Sequence, residues 1–91
     1  MKMYQAAITI TLRRSILDVQ GKTVEHALHS TDFPMIRNVR IGKHVELEIQ
    51  AADADQAHAL LNDACRSIIA NPIMEDYHIS LQEIASAEAH S

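Results

Sequence analysis

Along residues 4–13 the chain alternates: Tyr4, Ala6, Ile8, Ile10 and Leu12 fall on one face, and Gln5, Ala7, Thr9, Thr11 and Arg13 on the other. A period of two, rich in isoleucine and threonine, predicts a half-buried strand. From 19 to 30 the period becomes helical, with Val24, Ala27 and Leu28 on one stripe. Asp18 stands at the N-cap position, where its carboxylate can accept from an orphan backbone N–H. Thr31-Asp32-Phe33-Pro34 ends this short helix.

Alternation returns over 36–50, with Gly42 in the middle. A three-residue loop, Gly42-Lys43-His44, would pair Ile41 with Val45 and Val39 with Leu47, and would set Arg40 across from Glu46. A hairpin is therefore expected here. Residues 53–70 predict the longest helix. Asp53 and Gln56 resemble a capping box, and Ala57, Leu61, Ala64, Cys65 and Ile68 form its apolar stripe. Asn71-Pro72 stops it. Over 76–83 the alternation resumes, with Tyr77, Ile79 and Leu81 on one face. Residues 85–91 are small and polar and are expected to fray, leaving one domain over 1–84.

The resulting order is βαββαβ. It predicts an α+β fold of ferredoxin-like kind: a four-stranded antiparallel sheet with two helices on one face. The other face would carry threonine, glutamate, arginine and histidine, either wet or covered by a partner.

Length then changes the picture. A chain of 91 residues buries only about 60–65% of the surface its unfolded form exposes. Cys65 is the lone cysteine, so no internal disulfide supplements the core. Association into homo-oligomers is the remaining source of stability. A lone thiol suits a reducing compartment, and a cytoplasmic location is expected. The first residues lack the apolar core of a secretory signal, and no run long enough to cross a membrane is present. The net charge of −4 gives no reason to expect nucleic-acid binding.

Candidate chemistry is sparse. Gly21 and Gly42 are the only glycines, so neither a dinucleotide fingerprint nor a phosphate loop is possible. His26 and His29 have a spacing that can share a metal, yet no Cys/His cluster or Glu-x-x-His accompanies them, and solvated histidines are the plainer reading. Cys65 lies in an apolar stripe, where cysteine behaves as a small hydrophobe. Glu46 and Glu48 share an outward strand face and are better read as cross-strand or partner contacts than as an acid–base pair. Met35 and Met74 read as gap-filling core. No catalytic set, cofactor site or metal site is expected in this chain.

Four segments in order resemble one family: Leu17-Asp18-Val19-Gln20-Gly21-Lys22, then Val24-Glu25-His26-Ala27-Leu28, then Asn38-Val39-Arg40-Ile41-Gly42-Lys43 with Glu46-Leu47-Glu48-Ile49, and Ala70-Asn71-Pro72-Ile73-Met74-Glu75-Asp76-Tyr77. The set is similar to PurS, the small subunit of phosphoribosylformylglycinamidine synthase, from about Tyr4 to Leu81. Val19 stands where that family commonly has proline, and Ser15 where it often has glycine.

The resemblance implies a non-catalytic subunit of a glutamine-dependent ligase of purine biosynthesis. It would assemble a large synthetase subunit (PurL) with a glutaminase subunit (PurQ), as a dimer or tetramer, and support ammonia transfer between them. ATP and magnesium would belong to the large subunit. Three interface sets are expected: Arg40, Gly42 and Lys43 at the hairpin tip; Asn71, Glu75, Asp76 and Tyr77 at the turn into the last strand; and Thr9, Thr11, Glu46 and Glu48 on the open sheet face. The competing reading is a ferredoxin-like small-molecule sensor or regulatory dimer, which the scarcity of glycine and aromatic residues does not favour.

Overall fold

A computed structural model describes residues 1–84; the tail expected to fray lies outside the described residues. The order is β1 (Lys2–Leu12), α1 (Val19–His29), β2 (Lys43–Ala51), α2 (Ala54–Ala64) and β3 (Glu75–Ile84). The sheet has three strands in the order β2-β1-β3, and β1 runs antiparallel to both neighbours.

Alternation in β1 sets the register. Ile8 faces Val45 on one side and Ile79 on the other, and Ala6 faces Leu47 and Leu81. Tyr4, Ala6, Ile8 and Ile10 are all buried, as the period of two requires. Ile8 and Ile10 pack with Cys65 and Ala70, while Tyr4 packs with Ala51 and Ala57 under the start of α2. Full burial of each isoleucine contributes roughly 1.5–3 kcal/mol.

The expected hairpin is not formed. Residues 37–42 carry no regular structure, and β2 begins at Lys43. The amides that a ladder would use are taken by side chains of the α1 region. The Val39 N–H donates to Glu25 Oε1 at 3.0 Å and the Ile41 N–H to Asp18 Oδ2 at 2.7 Å. Asn38 sits at φ 58°, in the left-handed region, which interrupts an extended run. Arg40 does not meet Glu46. Its guanidinium donates to the carbonyls of Leu12 (2.9 Å), Arg13 (3.0 Å) and Ile16 (3.4 Å), clamping the turn after β1. The predicted fourth strand is thus a strap holding α1 to the end of β1.

The two helices play different parts. Only α2 packs substantially on the strands, against β2 and β3; α1 is held by the strap and does not share the sheet face as expected. Asp18 caps α1 by accepting from the Gly21 N–H at 2.9 Å. Asp53 caps α2 by accepting from the Gln56 N–H at 2.8 Å. The Gln56 side chain reaches back to the Ala52 N–H at 2.6 Å, one residue before the cap.

After Ala64 the helix widens into a π-turn over Cys65–Ile69, closed by the Ala70 N–H donating to the Cys65 carbonyl at 2.8 Å. A π-turn advances each residue by less than an α-turn, so the stripe slips by about one position. Ile69 therefore packs on the core while Ile68, expected on the stripe, is 85% exposed. Met35 and Met74, read from sequence as core, are also exposed. The radius of gyration is 17.1 Å, against about 12 Å for a close-packed chain of this length.

Candidate interaction surfaces

The open face of the sheet is assembled by register. Thr9 lies between His44 and His78, Ala7 between Glu46 and Ser80, and Gln5 between Glu48 and Gln82; Thr11 lies beside Asp76. The expected set Thr9, Thr11, Glu46 and Glu48 is thus brought onto one polar face, and Asp76 joins it. Short side chains on the central strand leave a trough of about 200 Å³ beside Ala7, walled by Glu46, Ser80 and Gln82. His44 contacts Glu46 at 3.2 Å along its own strand. Histidine was expected on this face without its positions; His44, His78, Ser80 and Gln82 follow from period-two spacing out from Glu46 and Asp76.

The second set builds a rigid turn. Asn71 accepts from the Ile73 N–H at its side chain (3.1 Å) and from the Glu75 N–H at its carbonyl (2.7 Å). Glu75 turns back to accept from the Asn71 N–H at 2.8 Å and meets Lys43 Nζ at 3.4 Å. The Asn71 N–H, then the nearby Lys43 ammonium, hold the Glu75 carboxyl below its ordinary pKa. Arg13 pairs with Asp76 at 3.7 Å and donates to the Pro72 carbonyl. The Tyr77 hydroxyl donates to Asn62 Oδ1 on α2, so this ring ties β3 to the helix. What the turn presents outward is Ile73, 80% exposed.

The first set does not form a tip. Arg40 is the carbonyl clamp, Lys43 is the Glu75 partner, and Gly42 is pressed against β1. A Cβ at Gly42 would lie 2.4 Å from the Ile10 carbonyl oxygen. Each of the three makes a contact within the chain, while the Lys43 side chain stays 64% exposed.

A further surface was not read from sequence. Leu17, Val19, Val24, Phe33 and Met35 are exposed on and around α1. Of these only Val24 belongs to the stripe read from sequence as buried, and among the described residues it remains 40% exposed.

Enzymatic groups are not gathered. Burial pushes the Cys65 thiol up, away from thiolate, and Cys65 sits wholly inside the core. His29 donates from Nε2 to the Ile36 carbonyl. Among the described residues no three His, Cys, Asp or Glu side chains are grouped to hold a metal. No helix among them is long and apolar enough to cross a membrane.

These features define a small α+β domain with one polar sheet face and, among the described residues, uncovered apolar side chains on and around α1. Comparison with known proteins narrows the class. The family model described as PurS, phosphoribosylformylglycinamidine (FGAM) synthase, matches residues 5–83. The phosphoribosylformylglycinamidine synthase subunit PurS of Bacillus subtilis is 38% identical over 84 residues, covering 92% of this chain and 99% of that one. A crystal form of Bacillus subtilis PurS superposes with a TM-score of 0.78 at 39% identity, covering 88% of this chain and 99% of that one. A structure of PurLQS from Thermotoga maritima gives a TM-score of 0.81 at 27% identity, covering 92% and 100%. The chain belongs to the PurS family, whose members are subunits of FGAM synthase, a ligase of purine biosynthesis.

Proposed function

We propose that this chain is a non-catalytic assembly subunit of FGAM synthase. It joins a synthetase subunit (PurL) to a glutaminase subunit (PurQ) as a homo-oligomer in the cytoplasm. The complex converts formylglycinamide ribonucleotide, glutamine and ATP to formylglycinamidine ribonucleotide, glutamate, ADP and phosphate. ATP and magnesium are held by the large subunit.

The observation that carries this reading is the uncovered apolar pair at the start of α1, Leu17 just before the helix and Val19 its first residue, each about two-thirds exposed (67% and 66%) among the described residues. A soluble monomer rarely leaves such residues contiguous unless something docks on them. The polar sheet face offers a second surface of opposite character. Two unlike surfaces on one small domain suit a chain that meets both a copy of itself and a larger partner. Sealed contacts of this kind also suit ammonia transfer, because ammonia that escapes into water is protonated and lost.

The test is glutamine-dependent FGAM synthesis by the synthetase and glutaminase subunits, with and without this chain. Activity that appears only on its addition supports the role. Equal activity without it rules the role out, as would glutaminase or synthetase activity by the chain alone.

A further inference from the structure

Three of the resembling segments meet in space at the α1 end, and they leave a cleft between them. A cavity of about 180 Å³ is bordered by Arg14, Lys22 and Arg40 together with the Asp18 and Glu25 carboxylates. A second, also of about 180 Å³, shares Arg14 and Arg40 and is lined as well by Thr11, Leu12 and Asp76, whose carboxylate pairs with Arg13.

The two signs of charge are used differently. Asp18 spends both oxygens on the Gly21 and Ile41 amides, and Glu25 accepts from Val39. Arg40 bonds only to neutral carbonyls, although its charge also helps hold the neighbouring Asp18 carboxyl low. Arg14 makes no ion pair among the described residues. Lys22 helps hold the Glu25 carboxyl low without an ion-pair contact among the described residues. The cleft therefore holds three cations against two carboxylates whose oxygens are turned to backbone amides, leaving one positive charge in excess.

Its wall is preformed, since Gly21 lies so near the strap that a Cβ there would fall 2.3 Å from the Val39 carbonyl oxygen. A preformed wall lowers the ordering cost of binding. Arginine's planar fork matches the oxygens of a phosphoryl group, and lysine adds a point charge.

We propose that this cleft binds a phosphoryl group, as inorganic phosphate or as the monophosphate of a small nucleotide, with Arg14 and Lys22 as its principal ligands.

The intact chain is titrated with inorganic phosphate, AMP and adenosine at constant ionic strength, and its backbone amides are followed by NMR. Phosphate and AMP should saturate shifts at Arg14, Lys22, Asn38 and Val39 with a dissociation constant of about 1 mM or tighter; adenosine should not. Phosphate binding without a gain from the nucleoside identifies the free ion, and tighter AMP binding identifies a nucleotide. Arg14→Gln should weaken binding by about tenfold or more. That variant removes no bond of the fold, and an unchanged amide spectrum elsewhere verifies this. Arg66→Gln, on the far helix, should bind normally. Unsaturable shifts, adenosine binding as well as AMP, or equal weakening by Arg66→Gln would overturn the proposal.

Discussion

Gly21→Ala sets two physical rules against each other. Gly21 is the third residue of α1. Helix propensity alone favours alanine by about 0.8–1.0 kcal/mol. The new methyl, however, would stand 2.3 Å from the Val39 carbonyl oxygen and 2.8 Å from Asp18 Oδ2. The first of these is a backbone atom and cannot rotate away. The strap must retreat by several tenths of an ångström, and it carries the Val39–Glu25 and Ile41–Asp18 hydrogen bonds with it.

Overpacking of this kind costs about 1–3 kcal/mol, and weakening one hydrogen bond adds about 0.5–1.5 kcal/mol. After the propensity gain, a net loss of roughly 1–3 kcal/mol is expected. At about 4–8 °C per kcal/mol for a domain of this size, the melting temperature should fall by roughly 5–20 °C. Urea and thermal unfolding followed by circular dichroism at one fixed protein concentration measure it, because association contributes to apparent stability. A Gly21→Ala chain as stable as the parent, or more so, would show that the strap does not rest on α1 and that the hairpin expected from sequence deserves reinstatement.

Three further outcomes follow from the same contacts. Arg40→Met, which keeps the stem but removes the clamp on three carbonyls, should cost about 1.5–3 kcal/mol in urea unfolding; a change under a few tenths would assign the clamp no role. Acid should destabilise the chain. Amides of Gly21 and Ile41 hold Asp18 low, that of Val39 holds Glu25 low, and that of Asn71 holds Glu75 low. A depressed folded pKa means that the unfolded chain binds more protons. This stability is complete above the ordinary carboxylate values of 3.8 and 4.5 and is lost as pH falls through the lower folded values. Urea midpoints taken across this acid range should fall, and the triple variant Asp18→Asn, Glu25→Gln, Glu75→Gln should flatten the curve; parallel curves would refute the assignment. Finally, the melting temperature should rise with protein concentration, and Leu17→Ser should abolish that rise if α1 is covered by another copy.

Where the sequence was legible, one strong local pattern met no competitor. β1 alternates between isoleucine and threonine, its neighbours supply matching apolar rows, and the register follows. Asp18 and Asp53 were readable as caps because N-cap chemistry is local. The segment before Gly42 misled because alternation records only which residues are apolar. It cannot show that Asp18 and Glu25, far back in the chain, will claim the Ile41 and Val39 amides, or that Arg40 will find three carbonyls after β1. Ile68 was misplaced for a different reason: a π-turn inserted at Cys65 shifts the stripe without leaving a mark on composition. Strand period places Thr9, Thr11, Glu46 and Glu48 on one face, whereas Arg40, Gly42 and Lys43 do not form a tip because the hairpin is absent.

The missing hairpin and the exposed apolar residues around α1 share a cause. A stripe at Val24, Ala27 and Leu28 was written for burial, and within one chain α1 is held away from the sheet by the strap, with Val24 still 40% exposed. A core-seeking pattern that stays uncovered among the described residues suits docking on another chain. The strap fixes α1 through Asp18 and Glu25, both committed to backbone amides, so the helix is held rigidly in an exposed place rather than left loose. Rigidity lowers the entropic cost of docking on that helix. The residues that frustrated the single-chain reading, Asp18, Glu25, Val39 and Arg40, are therefore the ones that turn α1 into a presented surface, and disrupting them should weaken association as well as folding.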